Sequence, residues 1–144
     1  MTKTELFTEY ASYHTDRRNR ACHAVGIPLI VLGVLGLFSL IKLDPIDLAI
    51  PVAVLVLIYY ATLTVRGALI SLAAFAILYV VAVRLPWQAD VAAFVLGWIF
   101  QLIGHRYEGN KPKFLENLTY LLIGPLYFFD HIVDRTTRPR AKPA

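Results

Sequence analysis

The chain has 144 residues, 58% hydrophobic and 17% charged, with a mean hydropathy of +0.59; soluble domains run at roughly 45–50% apolar and 25% charged. A water-soluble globule is excluded, because a domain this small buries only about two-thirds of its chain's surface and would have to clothe the rest in apolar side chains. The single cysteine, Cys22, rules out a disulfide framework, and the formal charge of +4 sits at the ends of apolar runs rather than on a docking element, which argues for a bilayer and against nucleic acid.

In chain order, the N-terminus comes first. Glu5, Glu9 and Asp16 precede the first apolar run, so residues 1–22 do not read as a secretory signal. Thr2 and Glu5 have capping-box spacing, and Leu6, Phe7, Tyr10, Tyr13 and His14 recur at helical intervals, which predicts a short amphipathic helix lying on the membrane surface. Four transmembrane helices are expected at about 24–41, 48–65, 67–84 and 86–105, the last started by Pro86 and Trp87, since about 20 residues cross the roughly 30 Å hydrocarbon core. A final apolar segment, about 114–133, carries Gly124 and Pro125 in its middle, which break an α-helix, and is expected to be re-entrant or interfacial. Residues 136–144 read as a loose basic tail held by headgroups. The expected fold is thus a single all-α membrane domain over 1–144.

Charge placement orients it. With four spans and both termini inside, Lys3, Arg17, Arg18, Arg20, Arg66, Arg106, Lys111, Lys113, Arg135, Arg138, Arg140 and Lys142 are cytoplasmic, and only Lys42 and Arg84 lie outside. Making the last segment a fifth span would destroy that asymmetry.

The same topology puts His14, His23, His105 and His131 at the cytoplasmic ends of their segments. Taken singly, each reads equally as an interfacial side chain; together they suggest a metal site, which needs neutral imidazoles converging from different elements and neighbours that set their tautomers. Asn19 shares a helix face with His23, and Gln101 and Glu108 share one with His105. Glu108 is read either as a ligand or ligand-orienting acid, or as a surface partner of Arg106 or Lys111; Asp16 and Asp130 also stand near histidines, Asp130 alternatively answering Arg135 as a plain interface charge, as Asp134 does. One cysteine cannot hold an iron–sulfur cluster, and imidazole with carboxylate suits iron, zinc, copper or nickel alike.

Two segments are more specific. YHTDRRNRACHAVGIP, with Tyr13, His14, Asn19, His23 and Pro28, and GWIFQLIGHRYEGNKP, with Gly97, Trp98, Gln101, Gly104, His105, Glu108 and Pro112, resemble the 2-hydroxy fatty acid dioxygenase family, small multi-span membrane proteins typified by a fungal enzyme of phytosphingosine breakdown. The resemblance runs from about Tyr10 to about His131. It implies an iron(II)-dependent α-oxidation in which a 2-hydroxy fatty acid and O2 yield a fatty acid one carbon shorter. Carried over by position, the family's proposed iron ligands are His14, His23 and His105. His131 stands where an acid is expected, so the fourth ligand is either His131 or an acid, with Asn19 and Glu108 in supporting roles.

That activity makes chemical sense of the residues. The hydroxyl and carboxylate of the substrate can together chelate a cation, the acyl chain needs an apolar slot, and Arg17, Arg18, Arg20 and Arg106 stand where a carboxylate would approach. Tyr59, Tyr60 and Tyr79 either line the slot or pack the bundle. The implied partners are the substrate and the bilayer, a bacterial inner membrane or endoplasmic reticulum; no protein partner is evident. The competing readings are a membrane protein with a structural zinc, a zinc-dependent lipid hydrolase with Glu108 as base, and a bis-histidine haem protein.

Overall fold

A computed structural model describes residues 1–137, all of them helical or in connecting turns: α1 Lys3–Ser12, α2 Arg17–Ser39, α3 Ala49–Leu63, α4 Val65–Ala82, α5 Trp87–Glu108, a 3-10 turn Lys113–Leu115, and α6 Thr119–Thr137. The expected tail lies, from residue 138 on, outside the described residues.

The N-terminal helix starts where its capping box predicts. The Glu5 amide donates to Thr2 Oγ1 at 3.3 Å and the Thr2 amide donates to Glu5 Oε2 at 2.7 Å, so two otherwise orphaned N–H groups are satisfied reciprocally. Its apolar stripe does not face outward: Leu6 and Tyr10 are buried against Tyr120 and Ile123 of α6. α2 begins seven residues earlier than the apolar run suggests, because Asp16 caps it by accepting the Arg18 amide at 2.7 Å.

Helices α2, α4 and α5 are long and apolar enough to cross a membrane. Their outward faces carry Val25, Leu69, Leu72, Ile77, Leu96 and Leu102, all exposed, an apolar surface of the kind that suits lipid. The expected count of four full-length spans is corrected here. Residues 48–65 form only the 15-residue α3, about 22 Å long at 1.5 Å per residue. The cause is Thr64, which adopts an extended conformation (φ −161°, ψ 118°) and spends its hydroxyl capping α4, accepting the Gly67 amide at 3.2 Å.

The expected break at Gly124-Pro125 is also corrected: α6 runs unbroken through Pro125. Its flanking residues Ile123 and Leu126 are fully buried, and the Tyr60 hydroxyl donates to the Leu122 carbonyl one turn before the proline. Packing against α3 and α4 therefore holds a helix that local propensity disfavours. At the same end, Lys3 of α1 and Arg66 of α4 both pair with the buried Asp130 of α6, at 3.1 and 3.4 Å, and Arg66 also reaches Asp134 at 2.7 Å. Lys3 and Arg66 are thus partners of these acids.

The most intimate helix pair is α2 with α5, brought together by glycines on both sides. A Cβ at Gly97 would lie 2.6 Å from Ile30 Cγ1 and 2.8 Å from the Gly26 carbonyl oxygen, and one at Gly26 would lie 2.8 Å from the Gly97 carbonyl oxygen. Backbone meets backbone, as small residues permit in membrane helices. Gly97→Leu is therefore expected to force the pair apart, at a cost of at least about 1–3 kcal/mol. A thermal melt of the purified protein in detergent checks it; an unchanged melting temperature would show that the close approach carries no weight.

Candidate metal centre

Where α1 ends, the chain turns at Tyr13 and His14, and the His14 ring folds back flat on Tyr10, with centroids 4.0 Å apart and an interplanar angle of 17°. His23 comes from the second turn of α2 and His105 from the last turn of α5, so the α2–α5 contact sets their separation. The three rings meet edge to face, with centroids 4.4 to 5.1 Å apart. One ring nitrogen from each of His14, His23 and His105 falls within 4.8 Å of the other two, and all three residues are buried.

The tautomers follow from the hydrogen bonds. His14 Nδ1 lies 2.6 Å from the Tyr10 carbonyl oxygen and His23 Nδ1 lies 3.0 Å from the Asn19 carbonyl oxygen. A carbonyl only accepts, so both Nδ1 atoms carry the proton and donate, leaving both Nε2 atoms as bare lone pairs. Those two Nε2 atoms face each other at 3.1 Å. Two lone pairs at that distance repel, whereas a cation about 2.1 Å from each would reconcile them. Burial holds the His14 imidazole down to about 4, so it is neutral and ready to ligate near pH 7.

His105 Nδ1 lies 3.1 Å from Asn110 Oδ1. The left-handed Gly109 (φ 77°) ends α5 and turns the chain so that Asn110 comes back on the histidine five residues earlier. Each imidazole thus has its outer nitrogen held by an oxygen and its inner nitrogen aimed at the common point, the arrangement that orients metal-binding histidines.

Glu108 does not point at that point. Its Oε1 accepts from the Thr15 amide at 2.9 Å and from the Thr15 hydroxyl, and its Oε2 accepts from the Asp16 amide at 2.7 Å and Asn19 Nδ2 at 3.0 Å. It ties the end of α5 to the turn that carries His14 and to the residue that orients His23. Among the described residues it forms no ion pair with Arg106 or Lys111. Asn19 is fully buried and acts on His23 through its backbone carbonyl, not through its amide side chain.

His131 is not brought into the cluster. Its ring stacks on Tyr127 with centroids 4.0 Å apart, and its Nδ1 lies 3.1 Å from the Tyr127 carbonyl oxygen. Asp130, committed to Lys3 and Arg66, does not orient it. His131 instead lines a second, smaller cavity of about 100 Å³ shared with His14, His23, Arg20 and Arg135. Of the four arginines named for carboxylate approach, Arg20 is the one that borders this cavity; Arg18 pairs with Asp16 at 3.2 Å and lies over the Tyr107 ring.

The main cavity, about 360 Å³, opens from the histidines and is walled by Ile27, Val31, Leu35 and Phe38 of α2, Val56 and Tyr60 of α3, and Phe94 and Trp98 of α5. From His23 to Phe38, both of which line it, α2 advances about 22 Å. The result is a long apolar slot with three imidazoles at one end. Tyr60 borders it while Tyr79 donates to Asp47 Oδ2 at 2.6 Å, away from the slot.

Comparison with known proteins bears on the same residues. The family described as "2-hydroxy-palmitic acid dioxygenase Mpo1-like" matches residues 2–136. The chain belongs to this family. A curated relative, the 2-hydroxy-palmitic acid dioxygenase MPO1 of Saccharomyces cerevisiae, is 27% identical over 141 residues, which cover 92% of this chain and 81% of the relative. No solved structure matches. The family match takes in α1, the centre and nearly all of α6, so the histidine cluster and the slot both fall inside what is shared.

Tyr10, Thr15 and Asn110 also hold the site, although residue spacing does not mark them for that role. Tyr10 acts through its carbonyl, which no side-chain pattern can signal. Asn110 could have been found from Gly109, a helix-ending glycine that returns the next residue toward the helix's last turn.

Proposed function

We propose that this chain is an iron(II)-dependent dioxygenase that converts 2-hydroxy fatty acids to fatty acids one carbon shorter. The observation that carries the reading is the pair of Nε2 atoms facing each other at 3.1 Å, with His105 beside them, at one end of an apolar slot. Family membership and the printed activity of the yeast relative supply the substrate class.

His14, His23 and His105 would hold the iron, which when bound supplies a Lewis acid for the substrate's hydroxyl and carboxylate oxygens and a coordination position for O2. The protein does the rest. Ile27, Val31, Leu35 and Phe38 take the acyl chain along α2 and exclude water from the reacting carbons. Arg20 and Arg135, on the other side of His14 and His23, give the carboxylate a basic approach. Over the whole reaction the hydroxyl-bearing carbon becomes the new carboxyl carbon and the old carboxyl carbon leaves as carbon dioxide. The electrons that reduce O2 all come from the substrate, and no second reductant is needed.

The site lies at the membrane end that also gathers Lys3, Arg66 and Lys113. The excess of basic residues there supports placing that end, and both termini, on the cytoplasmic side, with α3 returning the chain as a shorter crossing.

Protein purified without oxygen is expected to contain iron in near-stoichiometric amount and, on admitting O2, to consume it with 2-hydroxypalmitate but not with palmitate. Zinc in place of iron, a melting temperature that falls on chelation and no oxygen uptake would replace this reading with a structural zinc site.

A further inference from the structure

Among the described residues, buried side-chain atoms without a hydrogen-bond partner belong to Asn19, Ser71, Asp90, Gln101 and Asp130. Gln101 alone of these lines the slot. It is 7% exposed, and its Nε2 lies against Gly26, in the α2–α5 contact, where only a glycine leaves room for it. An amide nitrogen buried without a partner is unfavourable, and such a group calls for a physical reason, a bound molecule that completes it among them.

Most of the polar side chains that share the slot with the imidazoles are already committed. The Nδ1 atoms of the three histidines meet Tyr10, Asn19 and Asn110. Lys113, which also lines the slot, is paired with Glu9 at 2.9 Å and Glu116 at 2.8 Å and donates to the Tyr13 hydroxyl at 3.3 Å. Gln101 therefore stands out in the wall of the slot for a buried amide nitrogen that has no partner.

Its position says what it would meet. Gln101 is one helical turn before His105, about 6 Å further from the end of α5 and so deeper along the slot. A fatty acid lying with its carboxylate at the histidines and its chain toward Phe38 presents to that depth the carbons just beyond the carboxyl group. We infer that Gln101 is the residue that reads the 2-hydroxyl group, its amide hydrogen-bonding the hydroxyl oxygen or accepting the hydroxyl proton, so that an unsubstituted fatty acid leaves it unpaired. This rests on the proposed activity and adds to it the source of the discrimination. Gln101 is a specificity-determining residue that contacts substrate. It takes no part in holding the metal.

A site built to hydrogen-bond a substrate hydroxyl rejects the analogue that lacks it, because the protein's own polar group is then stranded. The test is competitive binding to the iron-loaded protein in detergent under argon, where no turnover occurs, with 2-hydroxypalmitate and palmitate displacing a fluorescent fatty acid. Gln101→Leu is expected to bind palmitate at least as well as the parent does and to lose about tenfold to a hundredfold of the preference for 2-hydroxypalmitate, with iron content unchanged. Gln101→Glu, of the same shape and still an acceptor, is expected to keep more of that preference than the leucine variant and guards against misfolding of the latter. An undiminished preference in both variants overturns the inference. Absence of oxygen uptake by the parent overturns the proposed activity instead, and a preference lost in Gln101→Leu would still stand as evidence for the hydroxyl contact.

Discussion

His23→Ala and His105→Ala are each expected to abolish oxygen uptake with 2-hydroxypalmitate and to leave the protein with little iron, while the helix content of the bundle is retained. Each removes one of three nitrogens that lie within 4.8 Å of one another. The loss should fall on metal retention more than on folding, because neither ring hydrogen-bonds across helices through its outer nitrogen: His23 turns back to Asn19 in its own helix, and His105 to Asn110 just beyond its own. His14→Ala is expected to do the same and also to leave the Tyr10 carbonyl with the Tyr13 amide as its donor. His131→Ala is expected to keep its iron, since that ring is stacked on Tyr127 outside the cluster. Metal analysis beside an oxygen electrode reads all four. Iron retained in His23→Ala or His105→Ala, with full turnover, would remove the assigned centre; iron lost from His131→Ala would add a fourth ligand.

Glu108→Ala carries the second large effect. The carboxylate collects two backbone amides, a hydroxyl and the Asn19 amide, all from the turn that bears His14 and the first turn of α2. Hydrogen bonds to a charged acceptor are the strong ones, and removing it takes the shared acceptor from four donors at once, of which the Asp16 amide and Asn19 Nδ2 are half-buried. His14 then loses the fixed turn it sits on and His23 loses a rigid Asn19 carbonyl, although no metal ligand has been touched. Loss of such supporting groups typically costs about 10–100-fold in metal affinity. Iron titration against a competing chelator is expected to show that drop in Glu108→Ala and a smaller one in Glu108→Gln. Wild-type iron affinity with no turnover in Glu108→Gln would show instead that the carboxylate takes part in proton transfer.

The two sets of variants divide the site along a physical line, between groups that would touch the ion and groups that hold them still. Glu108 shows why both belong in the account. On spacing alone it shares a face with His105 and looks like a ligand, but a carboxylate at the very end of α5 also faces the exposed amides at the start of α2. Those amides, with the positive end of that helix's dipole behind them, are the better partner. His23 and Asn19 make the same point: their i, i+4 spacing was legible, whereas the use of a carbonyl in place of an amide side chain was not.

What residue order alone determined is whatever depends on local pattern: an all-α chain with helices apolar enough to cross a membrane, the first helix from the Thr2–Glu5 box, and four histidines, His14, His23, His105 and His131, as candidate ligands, the first three in two short motifs. Periodicity and capping act within a few residues and leave their mark in the sequence. Only the tertiary structure decided which histidines meet, because that depends on how closely α2 and α5 approach, and glycine against glycine sets that distance. It also decided that α6 stays helical through Pro125 and that α3 stops short at Thr64, since buried packing at Ile123 and Leu126 and a hydroxyl spent on the next helix outweigh local propensity. His131 was separated from its three counterparts for the same reason: the ring's nearest favourable surface is Tyr127, one turn back on its own helix.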